Sequence, residues 1–253
     1  MGPEERRNKI VSYIQEVNTV RIQDLSKRMK VTRETIRKDL YNLEEAGIIK
    51  KTHGGAVLED SNQEVQYEKR KNEHNHEKKL IAQLAATYIE EGDCIYLDYG
   101  TTTYALAQEI RNMTNISVVT NTIPIINVLI NNPKIEIIIP GGVVRKNENS
   151  MYGQFAFNSL KDVYVKIGFF GCGGIDPKIG ITNHHINESL ISAEMVKKCQ
   201  TAILLVDHSK FGNRALNRSA TLDEVDIVIT DRSLDVETAK QLKQREIEVC
   251  IAK

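Results

Sequence analysis

Seven short apolar runs, separated by stretches of helical period, dominate the chain from Lys79 to its C-terminus. Each run is four to seven residues long, which is typical of strands buried on both faces. The runs are residues 94–98, 117–120, 135–139, 166–171, 201–207, 227–230 and 248–251. Amphipathic helices are predicted near residues 81–88, 103–111, 123–130, 188–198 and 236–243. Strands that alternate with helices predict an α/β domain built on a doubly wound, mainly parallel sheet.

The first 58 residues follow a different pattern. Three apolar stripes predict three short helices. The stripes consist of Ile10, Ile14 and Val17; of Ile22, Leu25 and Met29; and of Ile36, Leu40 and Leu43. Thr32 suits the N-cap of the third helix, and Gly47 suits its C-terminal end. Residues 48–52 and 56–58 have the composition of two strands around a turn at 53–55. Three helices followed by a hairpin predict a winged helix-turn-helix domain.

The chain has no net charge, but its charges are unevenly distributed. Residues 1–58 contain 12 Lys and Arg against 8 Asp and Glu, a net charge of +4, and the remainder carries −4. Residues 59–79 are rich in Asn, Gln, Glu, Lys and His and lack an apolar period. We therefore expect a basic domain over residues 1–58, a linker over 59–79 that becomes helical near its end, and a second domain over 80–253.

The third predicted helix has a cationic face. When Ile36 and Leu40 are placed on its buried side, Arg37 and Lys38 point outward and Arg33 lies at the flank. A helix fits the major groove of B-DNA, and lysines on the hairpin suit contacts to phosphates. An isolated charge run would indicate only a solvated face. Here the cationic face lies within a predicted winged helix-turn-helix, and this context favours DNA binding.

Residues 95–103, Ile-Tyr-Leu-Asp-Tyr-Gly-Thr-Thr-Thr, are the most informative segment of the second domain. A predicted strand ends at Asp98, Gly100 allows a tight turn, and three threonines begin a helix. Free backbone N–H groups at a helix start, with hydroxyls beside them, suit an oxyanion such as phosphate. A lone threonine would indicate only an N-cap, but three in succession favour a ligand loop. No Gly-Lys-Ser/Thr follows, so this is not a Walker loop.

Four further loops follow predicted strands, where ligands of open parallel sheets gather. They are Thr120-Asn121-Thr122, Pro140-Gly141-Gly142, residues 171–176 (Gly-Cys-Gly-Gly-Ile-Asp) and residues 207–212 (Asp-His-Ser-Lys-Phe-Gly). The third loop contains Gly-x-Gly without a complete Gly-x-Gly-x-x-Gly fingerprint, so it predicts no dinucleotide. Lys210 in the fourth loop suits either a phosphate contact or an ordinary surface position.

These motifs resemble the DeoR-type bacterial regulators along essentially the whole chain. The N-terminal resemblance rests on residues 35–40, Thr-Ile-Arg-Lys-Asp-Leu, and residues 52–56, Thr-His-Gly-Gly-Ala. The C-terminal one rests on Asp-x-Gly-Thr-Thr-Thr, Val-Thr-Asn, Gly-Gly, Gly-x-x-Gly-Ile-Asp, Gly-Ile-Thr and Asp-His-Ser-Lys-Phe-Gly, in that order. The resemblance implies a repressor of a sugar-use operon. It also implies a sensor domain of the ribose-5-phosphate isomerase type that binds a phosphorylated sugar.

The resemblance also assigns site residues. In the groove of operator DNA it places Thr32, Arg33, Thr35, Arg37 and Lys38, and near phosphate or the minor groove it places Lys50, Lys51 and His53. The effector phosphate would lie on Gly100, Thr101, Thr102 and Thr103. The residues that would line the sugar pocket are Asp98, Asn121, Gly141, Asp176, Glu188 and Lys210.

The chain departs from the isomerases where their catalytic residues stand. Their Asp-Gly-Ala-Asp loop corresponds here to residues 173–176, Gly-Gly-Ile-Asp, and their Lys-Gly-Gly-Gly segment has no counterpart near residues 180–183. Glu188 remains and is similar to their base. Because one carboxylate without its partner is a poor proton-transfer apparatus, we expect a sensor with no catalytic residues. The alternative is a sugar-phosphate isomerase with a DNA-binding appendage.

Oligomeric state, location and metal content are also predicted. One reading head covers few base pairs, so we expect dimers, or the tetramers that the resemblance allows, assembled through the second domain. The N-terminus lacks a signal peptide, no apolar run reaches membrane length, and four separate cysteines suit a reducing cytoplasm. The pairs His74/His76 and His184/His185 have no further ligand at a familiar spacing, so neither a metal site nor a cofactor is predicted.

Overall fold

The computed structural model of the chain describes residues 2–17, 19–45, 49–52, 54–58 and 67–253. It divides into two compact units, Met1–Gln63 and Glu64–Lys253. We refer to the first as the head and to the second as the sensor unit. No helix of the described ranges is long and apolar enough to cross a bilayer.

The head contains three helices and a small antiparallel sheet, with the bounds α1 Pro3–Val17, β1 Thr19–Arg21, α2 Ile22–Met29, α3 Arg33–Glu45, β2 Ile49–Thr52 and β3 Gly55–Leu58. The three predicted helices and the hairpin are confirmed. The sheet order is β1-β3-β2, and β1 is an addition to the prediction because three residues carry too little alternation to mark a strand. Gly47, Ile48 and His53 lie outside the described residues.

The turn between α2 and α3 is tied to the helix before it. Lys30 takes the left-handed conformation with φ 54°, which ends α2. The backbone N–H of Val31 donates to the Ser26 carbonyl at 3.2 Å, and the Ser26 hydroxyl donates to the Val31 carbonyl at 2.6 Å. Thr32 then caps α3 by accepting a hydrogen bond from the Thr35 N–H at 3.2 Å, as predicted. These bonds fix the angle at which α3 leaves the turn.

Glycine is required where the wing meets the first strand. A Cβ on Gly55 would lie 1.9 Å from the carbonyl oxygen of Val20, so β3 approaches β1 more closely than any side chain allows. The apolar stripes predicted from sequence then close the core above this sheet, with Ile10, Leu25, Ile36 and Leu40 fully buried.

The sensor unit is an α/β structure. Its helices are α4 Tyr67–Asn72, α5 Asn75–Ala86, α6 Thr101–Ile110, α7 Ile123–Leu129, α8 Gln154–Leu160, α9 Ile186–Val196 and α10 Val236–Lys243. Its strands are β4 Cys94–Leu97, β5 Ile116–Thr120, β6 Ile135–Ile138, β7 Val143–Arg145, β8 Ser150–Tyr152, β9 Val165–Phe170, β10 Gly174–Asp176, β11 Gly180–Asn183, β12 Cys199–Leu205, β13 Asn217–Ala220, β14 Ile227–Thr230 and β15 Glu248–Ile251. Short 3₁₀ helices cover His208–Lys210 and Leu222–Glu224.

All seven predicted apolar runs form one sheet. Its order is β15-β14-β12-β9-β4-β5-β6, and every neighbouring pair is parallel. One apolar core, around Ile95, Leu97 and Phe169, covers one face, and a second core, around Tyr96, Phe170 and Leu204, covers the other. The predicted doubly wound sheet is therefore confirmed, and the carboxyl ends of its strands meet at one edge.

The sequence missed the elements that lack a strong period. The two small antiparallel sheets, β7-β8 and β10-β11-β13, consist of strands of three or four residues, and none of these strands was predicted from the sequence. Part of the predicted linker also belongs to the sensor unit, because α4 and α5 occupy residues 67–86 and bury Tyr67 and Lys78. Residues 59–66 lie outside the described ranges.

Candidate functional site

The head exposes the residues predicted to face DNA. The exposed residues are Thr32, Arg33, Arg37 and Lys38. Thr35 is half-buried, and its hydroxyl lies 2.9 Å from the hydroxyl of Thr32. All lie on the first half of α3 or its cap, where a recognition helix contacts base edges. Their common face fits the predicted role, which remains a prediction for each residue.

Two of the cations predicted to contact DNA, Arg37 and Lys51, already have partners within the head. Arg37 donates to Glu34 at 2.9 Å, and both side chains are exposed. Lys51 lies 2.9 Å from the Glu44 carboxylate and 4.9 Å from the centre of the Tyr41 ring. Exposed pairs of this kind contribute little and exchange readily for a phosphate. The Lys50 side chain and His53, both predicted to contact DNA, lie outside what the structure describes.

One buried ion pair fixes α3 against α1. The Arg6 guanidinium donates to both carboxylate oxygens of Asp39, at 2.5 and 3.0 Å, and both residues are buried. The Asp39 carboxylate raises the pKa of Arg6. The pair sets the position of α3 on the head, a role that the sequence reading did not assign.

The predicted phosphate loop lies at the start of α6. Gly100 has φ 139°, which glycine tolerates, and its carbonyl accepts hydrogen bonds from the Thr103 hydroxyl at 3.1 Å and from the Tyr104 N–H at 3.2 Å. The first N–H groups of the helix therefore remain without intrahelical acceptors. Gly100, Thr101 and Thr102 line a small cleft at the carboxyl edge of the sheet. This arrangement suits an anion.

Two cations line the same cleft. Lys210, which was predicted, reaches it from the 3₁₀ helix after β12, and Arg70 reaches it from α4. Arg70 also pairs with the buried carboxylate of Glu148. The cleft is completed by Tyr99, Gly171, Cys172 and Asn183. The hydroxyl of Tyr99 is buried without a hydrogen-bond partner among the described residues, which is expected where a ligand hydroxyl or water completes the site.

A buried polar network lies beneath the cleft and contains three predicted pocket residues. Asp98 accepts hydrogen bonds from the Tyr96 hydroxyl at 3.0 Å and from the Ser192 hydroxyl at 2.7 Å. Asn121 is 3.5 Å from the same tyrosine hydroxyl and donates to the Met151 carbonyl at 3.1 Å. The third predicted residue, Glu188, stands one turn before Ser192 on α9. The Ser192 hydroxyl lies 3.2 Å from the Glu188 carbonyl, which connects Glu188 to the same network.

Glu188 is held by two donors. Arg145 donates to one carboxylate oxygen at 2.7 Å, and the Ser150 hydroxyl donates to the other. Burial raises the pKa of Glu188 to about 7, and burial also raises the pKa of Asp98 to about 7. The buried Glu148 carboxylate adds to both shifts. These groups therefore titrate near neutral pH.

Two predicted pocket residues are directed elsewhere. Asp176 accepts hydrogen bonds from the N–H groups of Lys178 and Ile179 and from the Arg214 guanidinium at 2.6 Å, so its carboxylate organises the β10–β11 turn. Gly141 has φ 72° in the connection between β6 and β7 and does not line the cleft. Their loops follow strands, but the chain turns away before these residues reach the cleft.

Arg70, Tyr99 and Asn183 line the cleft but were not predicted from the sequence. Arg70 stands in a run of polar residues with no distinguishing spacing, and its contact with Glu148 joins positions 78 residues apart. Tyr99 and Asn183 stand within segments that were singled out, yet nothing in their spacing marks them. Only the packing of α4 and β11 around the sheet edge brings them together.

A winged-helix head joined to an α/β unit with a cleft at the carboxyl edge of its sheet defines the class of two-domain, DNA-binding transcription regulators. Comparison with known families agrees. The DeoR-like helix-turn-helix domain matches residues 6–62, and the DeoR C terminal sensor domain matches residues 73–232. The chain belongs to the DeoR family of transcriptional regulators, as its motifs predicted.

Relatives match over nearly the full length. The HTH-type transcriptional repressor GlcR of Bacillus subtilis is 34% identical over 92% of this chain and 90% of its own length. The glycerol-3-phosphate regulon repressor of Escherichia coli is 29% identical over 98% of this chain and 99% of its own. Among solved structures, a D-ribose-5-phosphate isomerase in complex with phospho-erythronic acid aligns with a TM-score of 0.41 and 19% identity, over 54% of each chain.

Proposed function

We propose that this protein represses a sugar-use operon and that a phosphorylated sugar in the sensor cleft modulates its DNA binding. The observation that carries the proposal is the open N-terminus of α6 at Gly100, Thr101 and Thr102, which share one cleft with Arg70 and Lys210. Thr103, predicted with them, is fully buried and lies outside the cleft lining. Relatives named as repressors, one of them of a glycerol-3-phosphate regulon, support the choice of a phosphorylated ligand.

The cleft suits a phosphate dianion at one end and hydroxyls at the other. Backbone N–H groups and the helix dipole stabilise the anion, each contributing on the order of 1 kcal/mol. Two cations add the charge that a dianion requires. The unpartnered Tyr99 hydroxyl and the Asn183 amide then offer hydrogen bonds to a polyol.

A second function, sugar-phosphate isomerisation, is favoured by one observation. Asp98 and Glu188 have pKa values raised to about 7, as general bases often do. Each carboxylate is already held by two donors, however, and Asp176 is occupied in its turn. We therefore propose a sensor rather than an enzyme. Interconversion of aldose and ketose phosphates by the purified protein would overturn this choice.

We further propose that the protein acts as a homodimer or tetramer joined through the sensor unit. Phe155 on α8 and Ile186 and Leu190 on α9 are each more than half exposed, which is costly for large apolar side chains in a monomer. A dimer would also supply the paired heads that an operator needs. Light scattering on the full chain should show at least two copies, and Phe155→Glu should shift the mass downward.

Thr102→Glu tests the phosphate site. The variant places a fixed carboxylate at the start of α6, so it should abolish sugar-phosphate binding by like-charge repulsion while the head still binds operator. Thr87→Glu is the matched control, since Thr87 is an exposed threonine at the end of α5. Calorimetry against a panel of sugar phosphates and a ligand-titrated gel shift provide the measurements. Native affinity in the Thr102→Glu variant would place the phosphate elsewhere.

A further inference from the structure

Three potential metal ligands meet beside the sensor cleft. His74 precedes α5, and Asp207 and His208 follow β12 at the carboxyl edge of the sheet. One ligand atom from each lies within 4.8 Å of the others, and the two imidazole rings stand 5.0 Å apart, edge to face. The sequence reading paired His74 with His76, whereas the fold brings it to His208.

Asp207 has an unused oxygen. The residue is 1% exposed. Its Oδ1 accepts hydrogen bonds from the backbone N–H and the hydroxyl of Ser209, while Oδ2 is buried without a hydrogen-bond partner in the described part of the chain. A buried carboxylate oxygen without a partner is costly. A bound cation would remove this cost.

His208 is oriented as metal-binding histidines are. Its Nδ1 lies 3.1 Å from both carboxylate oxygens of Asp231, and the backbone N–H of His208 donates to the same carboxylate at 2.7 Å. A carboxylate on one ring nitrogen fixes the tautomer and leaves the other nitrogen, Nε2, available as a ligand. The sharing of one carboxylate by ring and backbone holds the imidazole in place.

His74 is held at the joint between α4 and α5. Its φ is 50°, and its carbonyl accepts a hydrogen bond from the Lys78 N–H at 3.0 Å. The Lys78 ammonium donates to the carbonyls of Arg70 and Glu73, which anchors the end of α4. The backbone of His74 is therefore fixed, while its exposed side chain is free to adjust.

We propose that His74, Asp207 and His208 bind a divalent transition-metal ion of the zinc type. Two imidazoles and one carboxylate are a common donor set for zinc sites that keep a coordination position open. Ligands of tetrahedral zinc lie about 3.4 Å apart at bond lengths near 2.1 Å, so the side chains must close by roughly 1 Å. Movement of the exposed His74 ring suffices for this.

The neighbouring cations limit the affinity of this site. The Lys78 ammonium lies near Asp207, and Lys210 stands two residues after His208. Because nearby ammonium groups repel a cation, they weaken the binding of a metal ion at this site. Lys210 also lines the cleft, so the metal would lie at its border. The proposal does not depend on the proposed effector.

Zinc titration of the tag-free, full-length protein tests the site. By calorimetry, wild type should bind about one Zn²⁺, and His74→Ala and His208→Ala should each weaken binding by more than roughly 100-fold, because each removes a direct ligand. Asp231→Asn should weaken it by roughly 10-fold through loss of the orienting carboxylate. His76→Ala is the matched control, an exposed histidine two residues from His74, and it should bind as wild type does.

Cobalt supplies a second readout that does not depend on stability. Co²⁺ bound by nitrogen and oxygen alone should give visible d–d bands without the near-ultraviolet charge-transfer band of a thiolate. A thiolate band, equal binding by His74→Ala and His76→Ala, or no binding by wild type would each overturn the proposal. Because His74 is exposed, its alanine variant should keep the wild-type melting temperature, which separates loss of metal from loss of fold.

Discussion

An ion pair on the recognition helix of the head and an ion pair in the sensor unit differ sharply in their exposure to solvent. In the head, the side chains of Arg37 and Glu34 are 61% and 80% exposed. In the sensor unit, those of Arg145 and Glu188 are only 14% and 1% exposed. Exposed pairs are screened by salt and contribute at most about 1 kcal/mol, whereas breaking a buried pair costs several times more.

The difference matches the two kinds of ligand. A surface that contacts DNA must exchange its own ion pairs for phosphates, and weak pairs exchange readily. A pocket that discriminates among small molecules must keep its groups fixed before the ligand arrives, and buried networks do so. The Arg6–Asp39 pair offers a test of this comparison, because it is a buried pair within the head.

Asp39→Ala should have the largest effect on stability. It leaves the Arg6 guanidinium buried without its partner, which should lower the free energy of unfolding of the head by about 3 kcal/mol. Hydrogen exchange of the full chain, read at amides of α1 and α3, measures the head separately from the sensor unit. The double variant Arg6→Met/Asp39→Leu should recover most of the loss. Equal protection in Asp39→Ala and wild type would show that the pair contributes nothing.

Arg37→Ala should weaken operator binding by about 1–3 kcal/mol if the side chain contacts a guanine edge. Glu34→Gln, which frees Arg37 from its exposed partner, should leave affinity unchanged or raise it. Gel-shift titrations compare both variants with Arg111→Ala, which replaces an exposed arginine of the sensor unit. Unchanged affinity in Arg37→Ala would remove this residue from the recognition face.

The buried carboxylates predict a pH dependence of the sensor unit. The folded pKa values of Asp98 and Glu188, about 7, lie above those of an unfolded chain, so the folded state binds more protons between pH 5 and 7. Stability should therefore fall as pH rises through this window, by at most about 1.4 kcal/mol per pH unit for each group. Urea titrations from pH 5 to 7 should show a smaller slope in Glu188→Gln. A slope that is equal in variant and wild type would contradict the assignment.

Lys51→Ala should have the smallest effect. Loss of one phosphate contact should weaken all DNA sequences alike and reduce the salt slope of binding by about 1. Because Lys51 must leave Glu44 to reach a phosphate, we expect a loss of under about 1 kcal/mol. Titrations at two salt concentrations on operator and random DNA measure both quantities, and a loss confined to operator would give Lys51 a role in base recognition.

The sequence predicts the large sheet well because its strands are apolar runs and these runs alternate with helical segments along the chain. Each strand from β4 to β15 in that sheet is an apolar run between helices, and parallel pairing needs no further signal. The small sheets are different. Strand β11 pairs with β13 through a register shift near Ile181, and no pattern of four residues encodes such a pairing. Tertiary contacts alone select it.

The candidate site divides in the same way. The place of Gly100, Thr101 and Thr102 at the start of a helix was predictable because the glycine and the hydroxyls are consecutive in the chain, and these three residues line the cleft. Arg70 was not, since only the docking of α4 brings it to Lys210. Asp176 was predicted as a pocket residue from its motif, but its oxygens are used by the turn that it caps.

The position of β4 inside the large sheet has a consequence for synthesis of the chain. Ile95 of β4 pairs with Val118 on one side and with Ile167 on the other, so one edge of β4 waits for about 70 further residues. At typical translation rates this takes roughly 4 to 14 seconds, during which an apolar strand edge is open to aggregation. The head, whose last strand ends at Leu58, has by then emerged complete. A nascent chain therefore completes its DNA-binding head before it completes its sensor unit.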